Sequence, residues 1–142
     1  MQSQISSPSP CLLLVDDDQS LLRLMTIRLE KEGYAVLTAS DGKQALKQLK
    51  AHDVDIVLSD LRMPGLDGLS LFEEIVAERK DLPVILMTAH GTIEDAIEAT
   101  QRGVLGFLTK PVDHQQLRDL LDKGLSQKRH ALESGWSDEI IT

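Results

Sequence analysis

The stretch CLLLVDDD, residues 11–18, decides the fold. Its first part, Cys11–Val15, is an unbroken apolar run without the polar alternation of a half-exposed strand. Such a run is typical of a strand in a parallel sheet that is buried on both faces. Asp16, Asp17 and Asp18 follow directly. The stretch therefore predicts a buried strand whose carboxyl end carries three acids.

The same pattern recurs along the chain. Four further apolar runs predict strands at Tyr34–Thr38, Asp55–Ser59, Pro83–Met87 and Leu105–Thr109. The segments after the five strands predict helices from Gln19 to Glu32, from an N-cap at Asp41 to Ala51, from Gly68 to Arg79, from Thr92 to Gly103, and onward from an N-cap at Asp113. Alternating strands and helices predict an α/β fold, a doubly wound five-stranded parallel sheet with right-handed crossovers and five flanking helices.

Length and composition limit the possible functions. The chain has 142 residues, enough for one domain with its own core, and its net charge is −8. A nucleic-acid or membrane-surface role needs concentrated positive charge, so neither is expected for this fragment. A single cysteine excludes an intrachain disulfide and favours a reducing, cytoplasmic setting. No apolar run approaches the ~20 residues that cross a bilayer.

The two ends of the chain differ from the repeating part. Residues 1–10 are rich in Ser and Pro and are interpreted as a flexible leader. Residues 11–127 carry the strand and helix pattern. Residues 128–142 do not continue it, and Gly135 is expected to interrupt them. This tail is either partly ordered, or a linker where another domain begins.

Chemically active residues follow four of the five predicted strands. They are Asp16, Asp17 and Asp18 after the first, Asp60 after the third, Thr88 after the fourth, and Lys110 with Pro111 after the fifth. In open parallel sheets, ligands bind beyond the carboxyl ends of the strands. The sequence therefore predicts one crevice that holds carboxylates, a hydroxyl and an ammonium.

The acids of this crevice predict a metal. Crowded carboxylates repel one another unless some protonate or a cation lies among them. Oxygen ligands without His or Cys favour Mg²⁺ or Ca²⁺, and without EF-hand spacing Mg²⁺ is the better choice. Lys110 supplies a second cation beside it. Two cations with a free carboxylate suit phosphoryl transfer to an aspartate, giving an acyl phosphate.

These residues resemble a known family, the receiver domain of bacterial response regulators, over about residues 11–127. The motifs that carry the resemblance are Val15–Asp18, Ser59–Gly68, Met87–Ala89 and Lys110–Pro111, which occur in this order at predicted strand ends. The resemblance implies a flavodoxin-like sheet with strand order 2-1-3-4-5. It also implies a phosphorylation switch that is regulatory and, beyond weak self-catalysis, not an enzyme.

The resemblance also implies a role for each acidic residue. Asp60 would be the phosphoacceptor. Asp16 and Asp17 would serve Mg²⁺, one directly and one partly through water. Asp60 would add a further oxygen to the ion, and Arg62 would add its backbone carbonyl.

A second group of residues is implied to sense the phosphoryl group. Thr88 would bind a phosphoryl oxygen, and Lys110 would pair with the phosphate or with Asp60. The Lys110–Pro111 peptide bond would be cis. Phe107 would turn inward when Thr88 moves, although many receivers have Tyr at this position. Without a hydroxyl to hold it outward, Phe107 is expected to couple less tightly.

Partners follow from the same resemblance. The phosphodonor would be a sensor histidine kinase, and the output would be the protein's own C-terminal effector domain. A phosphorylation-dependent homodimer would form through the fourth and fifth helices. Residues Trp136–Thr142 resemble the linker and opening of the ATPase domain in sigma-54-dependent transcriptional activators of the nitrogen-regulator class. A winged-helix output and a stand-alone receiver are the rival interpretations.

Two other classes of protein compete with this interpretation. A metal-dependent phosphatase with an aspartyl nucleophile typically has a second acid two residues after it, where this chain has Arg62. A flavin or nucleotide carrier needs glycines and free N–H groups after the first strand. Asp16, Asp17 and Asp18 stand there instead and would repel a phosphate.

Overall fold

The computed structural model of the chain describes residues 9–141, with side chains for residues 9–127. The leader expected at residues 1–10 therefore lies outside the described residues except for Ser9 and Pro10. The side chains of Trp136 to Thr142, which resemble an ATPase-domain opening, lie outside them as well.

The described residues form one five-stranded parallel sheet. Its strands are β1 (Cys11–Val15), β2 (Ala35–Ala39), β3 (Ile56–Asp60), β4 (Val84–Thr88) and β5 (Gly106–Thr109). Their order is β2-β1-β3-β4-β5, and every neighbouring pair is parallel. The predicted fold class and strand order are confirmed.

Five helices connect and follow the strands. They are α1 (Gln19–Lys31), α2 (Gly42–Ala51), α3 (Gly68–Glu78), α4 (Ile93–Gln101) and α5 (His114–Ile141). Gly33 and Gly103 stand two residues beyond the ends of α1 and α4 and have φ angles of +103° and +105°. Only glycine adopts this conformation cheaply, which is why it so often terminates helices.

Both faces of the sheet are buried. Along β1, Leu13 and Val15 point to one face, while Leu12 and Leu14 point to the other. Helices α2, α3 and α4 cover the first face, and α1 and α5 cover the second. Each leucine that is fully removed from water contributes about 1.5–3 kcal/mol, so the two layers hold the strand ends firmly in place.

Four strands, β2 to β5, begin one residue later than the sequence predicts, and the first three of these also end one residue later. Tyr34 is outside β2 because its N–H donates to the Leu29 carbonyl oxygen at 3.2 Å, which completes the end of α1. Asp60 belongs to β3, where it pairs with Met87, and Thr88 belongs to β4, where it pairs with Thr109. Apolar runs do not reveal these ends, because the neighbouring strands set the register.

The last helix is longer than predicted. The backbone of α5 continues through Gly135 to Ile141, so the expected interruption at Gly135 is wrong. No helix in the described part of the chain is both long and apolar enough to cross a membrane.

Candidate functional site

Three carboxylates meet where β1 and β3 end side by side. Asp16 follows β1 and is fully buried, Asp60 ends β3 and is 6% exposed, and Asp17 is exposed. One oxygen from each lies within 4.8 Å of the other two. The sheet register brings them together, since Val15 pairs with Ser59 and so aligns the residues that follow.

Asp16 is fixed by the turn that starts α1. Its N–H donates to the Ala39 carbonyl oxygen at 3.1 Å, and its Oδ1 accepts from the Asp18 N–H at 2.9 Å. Asp18 turns away and caps α1, accepting from the N–H groups of Ser20 and Leu21. Asp18 is therefore the N-cap of α1 and does not enter the acidic cluster, and Oδ2 of Asp16 is left facing the crevice.

Lys110 brings a positive charge to the two buried acids. Its Nζ donates to Asp16 Oδ2 at 2.7 Å and lies 3.4 Å from Asp60 Oδ2. The Lys110 N–H donates to the Thr88 carbonyl oxygen at 2.8 Å, which extends the pairing of β4 with β5 to the edge of the crevice. The Lys110–Pro111 peptide bond is cis.

The crowding of charges shifts two pKa values. Burial raises the pKa of Asp60, and the charge of Asp16 raises it further, while Lys110 and the Arg62 N–H oppose this. Burial on its own would lower the pKa of Lys110, but its hydrogen bond to Asp16 and the charges of both acids outweigh it and raise that pKa. One ammonium among three carboxylates leaves a net negative charge, which attracts a further cation.

The acidic cluster fits a hard divalent cation. Its donors are oxygen atoms only, which suits Mg²⁺ or Ca²⁺ better than a transition metal. Their separation lets one ion contact all three carboxylates. The loop after Asp60 begins with a tight turn, in which the Arg62 N–H approaches Asp60 Oδ1 at 3.4 Å.

Thr88 and Phe107 lie on the neighbouring strands. Thr88 is 2% exposed, and its Oγ1 accepts from the His90 N–H at 3.3 Å. Phe107 is partly buried and packs against the core layer beneath α2, α3 and α4. A Cβ atom on Gly91 would lie 2.6 Å from the Phe107 ring and 2.7 Å from Thr88 Cγ2, so both side chains press against this glycine.

Three features beside the site were not predicted from the sequence. Gly68 has no room for a Cβ atom, which would lie 2.3 Å from the Asp60 carbonyl oxygen. Gly91 lies against both Thr88 and Phe107, as described above. The Arg62 guanidinium pairs with Asp95 at 3.3 Å. Gly68 is the first residue of α3 and Gly91 lies in the loop before α4, so neither glycine stands out in the sequence, and nothing there links Arg62 to an acid 33 positions away.

The fold and this acidic crevice define a class of protein. Residues 12–122 match the family described as the response regulator receiver domain. The chain belongs to that family, and it is a receiver domain of two-component response regulators.

Its relatives include longer regulatory proteins. It is 50% identical over 131 residues to transcriptional regulatory protein GlrR of Escherichia coli (strain K12), which covers 92% of this chain and 30% of GlrR. It is 39% identical over 128 residues to C4-dicarboxylate transport transcriptional regulatory protein DctD of Rhizobium meliloti (strain 1021), which covers 90% of this chain and 28% of DctD. The chain thus spans about 30% of the length of such relatives.

Solved structures agree with the fold. A response regulator receiver domain protein from Clostridium thermocellum superposes with a TM-score of 0.81 at 31% identity, covering 86% of this chain and 98% of that one. NtrX from Brucella abortus superposes with a TM-score of 0.83 at 31% identity, covering 89% of this chain and 29% of NtrX.

Proposed function

We propose that Asp60 accepts a phosphoryl group from a phosphohistidine of a sensor kinase and that Mg²⁺ assists the transfer. The observation that carries this proposal is the position of the Asp60 carboxylate, which is nearly buried, 3.4 Å from the Lys110 ammonium and within 4.8 Å of Asp16 and Asp17. A carboxylate in this setting can serve as a nucleophile, while the cations beside it neutralise the incoming phosphoryl oxygens.

The transfer follows from these positions. A carboxylate oxygen of Asp60 forms a bond to phosphorus as the bond from phosphorus to the histidine nitrogen breaks. The bonding electron pair leaves with the imidazole, which then takes a proton from water. Mg²⁺ held by Asp16, Asp17, Asp60 and the Arg62 carbonyl would supply charge neutralisation. Lys110 can pair with the phosphoryl oxygens because its ammonium already reaches Asp60.

The response of the domain begins at Thr88. A phosphoryl group adds about −1.5 to −2 in charge and new acceptor oxygens, to which the Thr88 hydroxyl can donate. Thr88 and Phe107 both press against Gly91, so a movement of Thr88 changes the space open to the ring. Phosphorylation then shifts a pre-existing equilibrium towards the form with Phe107 turned inward.

The output of the full protein is transcriptional. The relatives named above are transcriptional regulators, and this chain spans only about 30% of their length. A C-terminal effector of the sigma-54 ATPase class is favoured by the resemblance of Trp136–Thr142. The domain would act in the cytoplasm as a regulatory switch without turnover, and phosphorylation would promote a homodimer through α4 and α5. Light scattering with and without a phosphoryl mimic tests the dimer.

The alternative function, a metal-dependent phosphatase with an aspartyl nucleophile, gains no support from the site. The second acid that such enzymes use would stand at Arg62, and the Arg62 side chain instead pairs with Asp95. Measured turnover of phosphate esters would be needed to revive that reading.

The phosphoacceptor role is tested with beryllofluoride, a phosphoryl mimic that binds an aspartate together with Mg²⁺. The wild type should bind it only when Mg²⁺ is present, as followed by ¹⁹F NMR. Asp60→Ala should abolish binding. Asp53→Ala is the matched control, because Asp53 is exposed and precedes β3 at the opposite end of the sheet. Undiminished binding by Asp60→Ala contradicts the proposal.

A further inference from the structure

Helix α4 is loosely attached to the rest of the fold. Ala99 is its one buried residue. Both of its isoleucines face water, Ile93 at 80% and Ile97 at 51% exposure. Burial of apolar surface therefore contributes little to holding α4, and its polar contacts decide where it lies.

The N-terminus of α4 is tied to the phosphoacceptor loop through one oxygen atom. Thr92 Oγ1 accepts from the Asp95 N–H at 3.0 Å, and Asp95 Oδ2 accepts from the Thr92 N–H at 3.3 Å, which is a complete capping box. The Arg62 Nη2 group donates to that same Oδ2 at 3.3 Å. The capping box thus also anchors a side chain from the loop after β3.

Arg62 connects this cap to Asp60. Its N–H approaches Asp60 Oδ1 at 3.4 Å, while its guanidinium, four bonds beyond the backbone, holds Asp95. The side chain is 62% exposed and that of Asp95 is 27% exposed. Because no apolar packing encloses the guanidinium, it can exchange partners without disturbing the core.

The C-terminal end of α4 has a separate attachment. Arg102 Nη1 donates to Glu73 Oε2 on α3, and Arg102 Nη2 donates to Glu98 Oε2 at 2.9 Å. These contacts do not involve the loop after Asp60. A loss of the Arg62–Asp95 ion pair would free the N-terminal end of α4 while Arg102 still holds the other end.

We propose that Arg62 is a positioning residue that exchanges Asp95 for the phosphoryl group on Asp60, and that this exchange releases the N-terminal end of α4. The inference rests on the proposed function of Asp60. An exposed ion pair is a weak competitor. A phosphoryl group carries about −1.5 to −2 in charge, and the planar guanidinium binds phosphate oxygens through two donors. This route to α4 is separate from the one through Thr88 and Phe107.

The exchange predicts opposite effects for its two partners. Asp95→Asn keeps an oxygen for the capping box but loses the ion pair, so Arg62 is free and beryllofluoride with Mg²⁺ should bind about two- to fivefold more tightly. Arg62→Gln removes the phosphoryl partner and should weaken binding. Glu94→Gln is the matched control, because Glu94 is the other acid in the first turn of α4 and its substitution removes the same charge.

The double variant Arg62→Gln/Asp95→Asn decides between coupling and simple charge effects. If Asp95 acts through Arg62, Asp95→Asn should change the affinity less than about 1.7-fold in the Arg62→Gln background, the lower limit of additivity for independent sites. Without the mimic, the backbone amide signals of Ile93 and Glu94 in Asp95→Asn should also move towards their positions in the mimic-bound wild type.

Two results would overturn the inference. One is equal tightening by Asp95→Asn with and without Arg62, and the other is equal tightening by Asp95→Asn and Glu94→Gln. Both presuppose that binding depends on Asp60. If the wild type does not bind the mimic, or Asp60→Ala binds it normally, the proposed function itself fails, and the two failures are therefore distinguishable.

Discussion

Replacing Lys110 with methionine tests whether its ammonium offsets the repulsion between the Asp16 and Asp60 carboxylates. Methionine keeps most of the apolar stem of lysine and removes the ammonium that lies 2.7 Å from Asp16 and 3.4 Å from Asp60. Two buried carboxylates then face each other without a cation. We expect the fold to lose stability when Mg²⁺ is absent and to regain much of it when Mg²⁺ is added.

The magnitude follows from the exposure of the three groups. Removing one partner of a fully buried ion pair costs about 3–5 kcal/mol, because the other charge stays buried alone. Asp16 is fully buried, but the Lys110 side chain is 19% exposed and water screens part of its charge. We therefore expect a loss of about 2–3 kcal/mol, which lowers a urea midpoint by about 1–1.5 M for a slope near 2 kcal/mol per molar.

Urea unfolding at pH 7, with EDTA or with Mg²⁺, measures this loss. Lys123→Met is the control, since Lys123 is exposed on α5, and it should change the midpoint little. The Lys110→Met loss should shrink in an Asp16→Asn background. Because the pKa of Lys110 is raised, its contribution is complete below the ordinary value of 10.5 and is lost as the pH rises through the higher folded value. A midpoint unchanged by Lys110→Met, or a loss that Asp16→Asn leaves intact, refutes the reasoning.

Three further predictions concern the same edge of the sheet. Asp60→Asn should raise the urea midpoint at pH 7 without Mg²⁺, because the pKa of Asp60 is raised and its charged form opposes folding. This gain should vanish below pH 3.8, the ordinary pKa, because residue 60 is then neutral in the wild type as well as in Asp60→Asn. Mg²⁺ at ten times its Kd should stabilise the wild type by about 1.4 kcal/mol and raise its Tm by about 3–6 °C in a thermal scan, and an unchanged Tm would contradict a metal site. Gly68→Ala should cost about 1–3 kcal/mol and weaken beryllofluoride binding, because the new Cβ meets the Asp60 carbonyl oxygen. The control for this last variant is Gly33→Ala, at the opposite end of the sheet, which should cost about 1–2 kcal/mol through its positive φ angle alone and leave that binding unchanged.

The sequence predicted the order of elements because their signals are local. Each strand is a short apolar run, and the helix ends at Gly33 and Gly103 depend on backbone freedom that glycine alone supplies. The capping box at Thr92 and Asp95 was also predictable, since its residues stand three apart. These features need only neighbouring residues, and the parallel topology follows from their alternation.

The features that the sequence did not predict depend on distant partners. Asp60 and Thr88 lie within strands because Met87 and Thr109 pair with them, which a single strand cannot reveal. The Arg62–Asp95 ion pair joins two exposed residues whose types suit many other partners. The continuation of α5 through Gly135 is a different case, because it depends on no distant partner: the low helix propensity of glycine is only a weak preference of about 1 kcal/mol.

The ion pair between Lys110 and Asp16 joins residues separated by 94 positions, one after the first strand and one after the last. During synthesis, the acids of β1 and β3 therefore emerge long before the ammonium that offsets their repulsion. A chain that has folded only as far as β4 has its acceptor carboxylate but no lysine beside it. The ability to be phosphorylated should therefore appear late and in one step, when the edge strand β5 pairs with β4. Molecules in which β5 is missing or detached should not be activated.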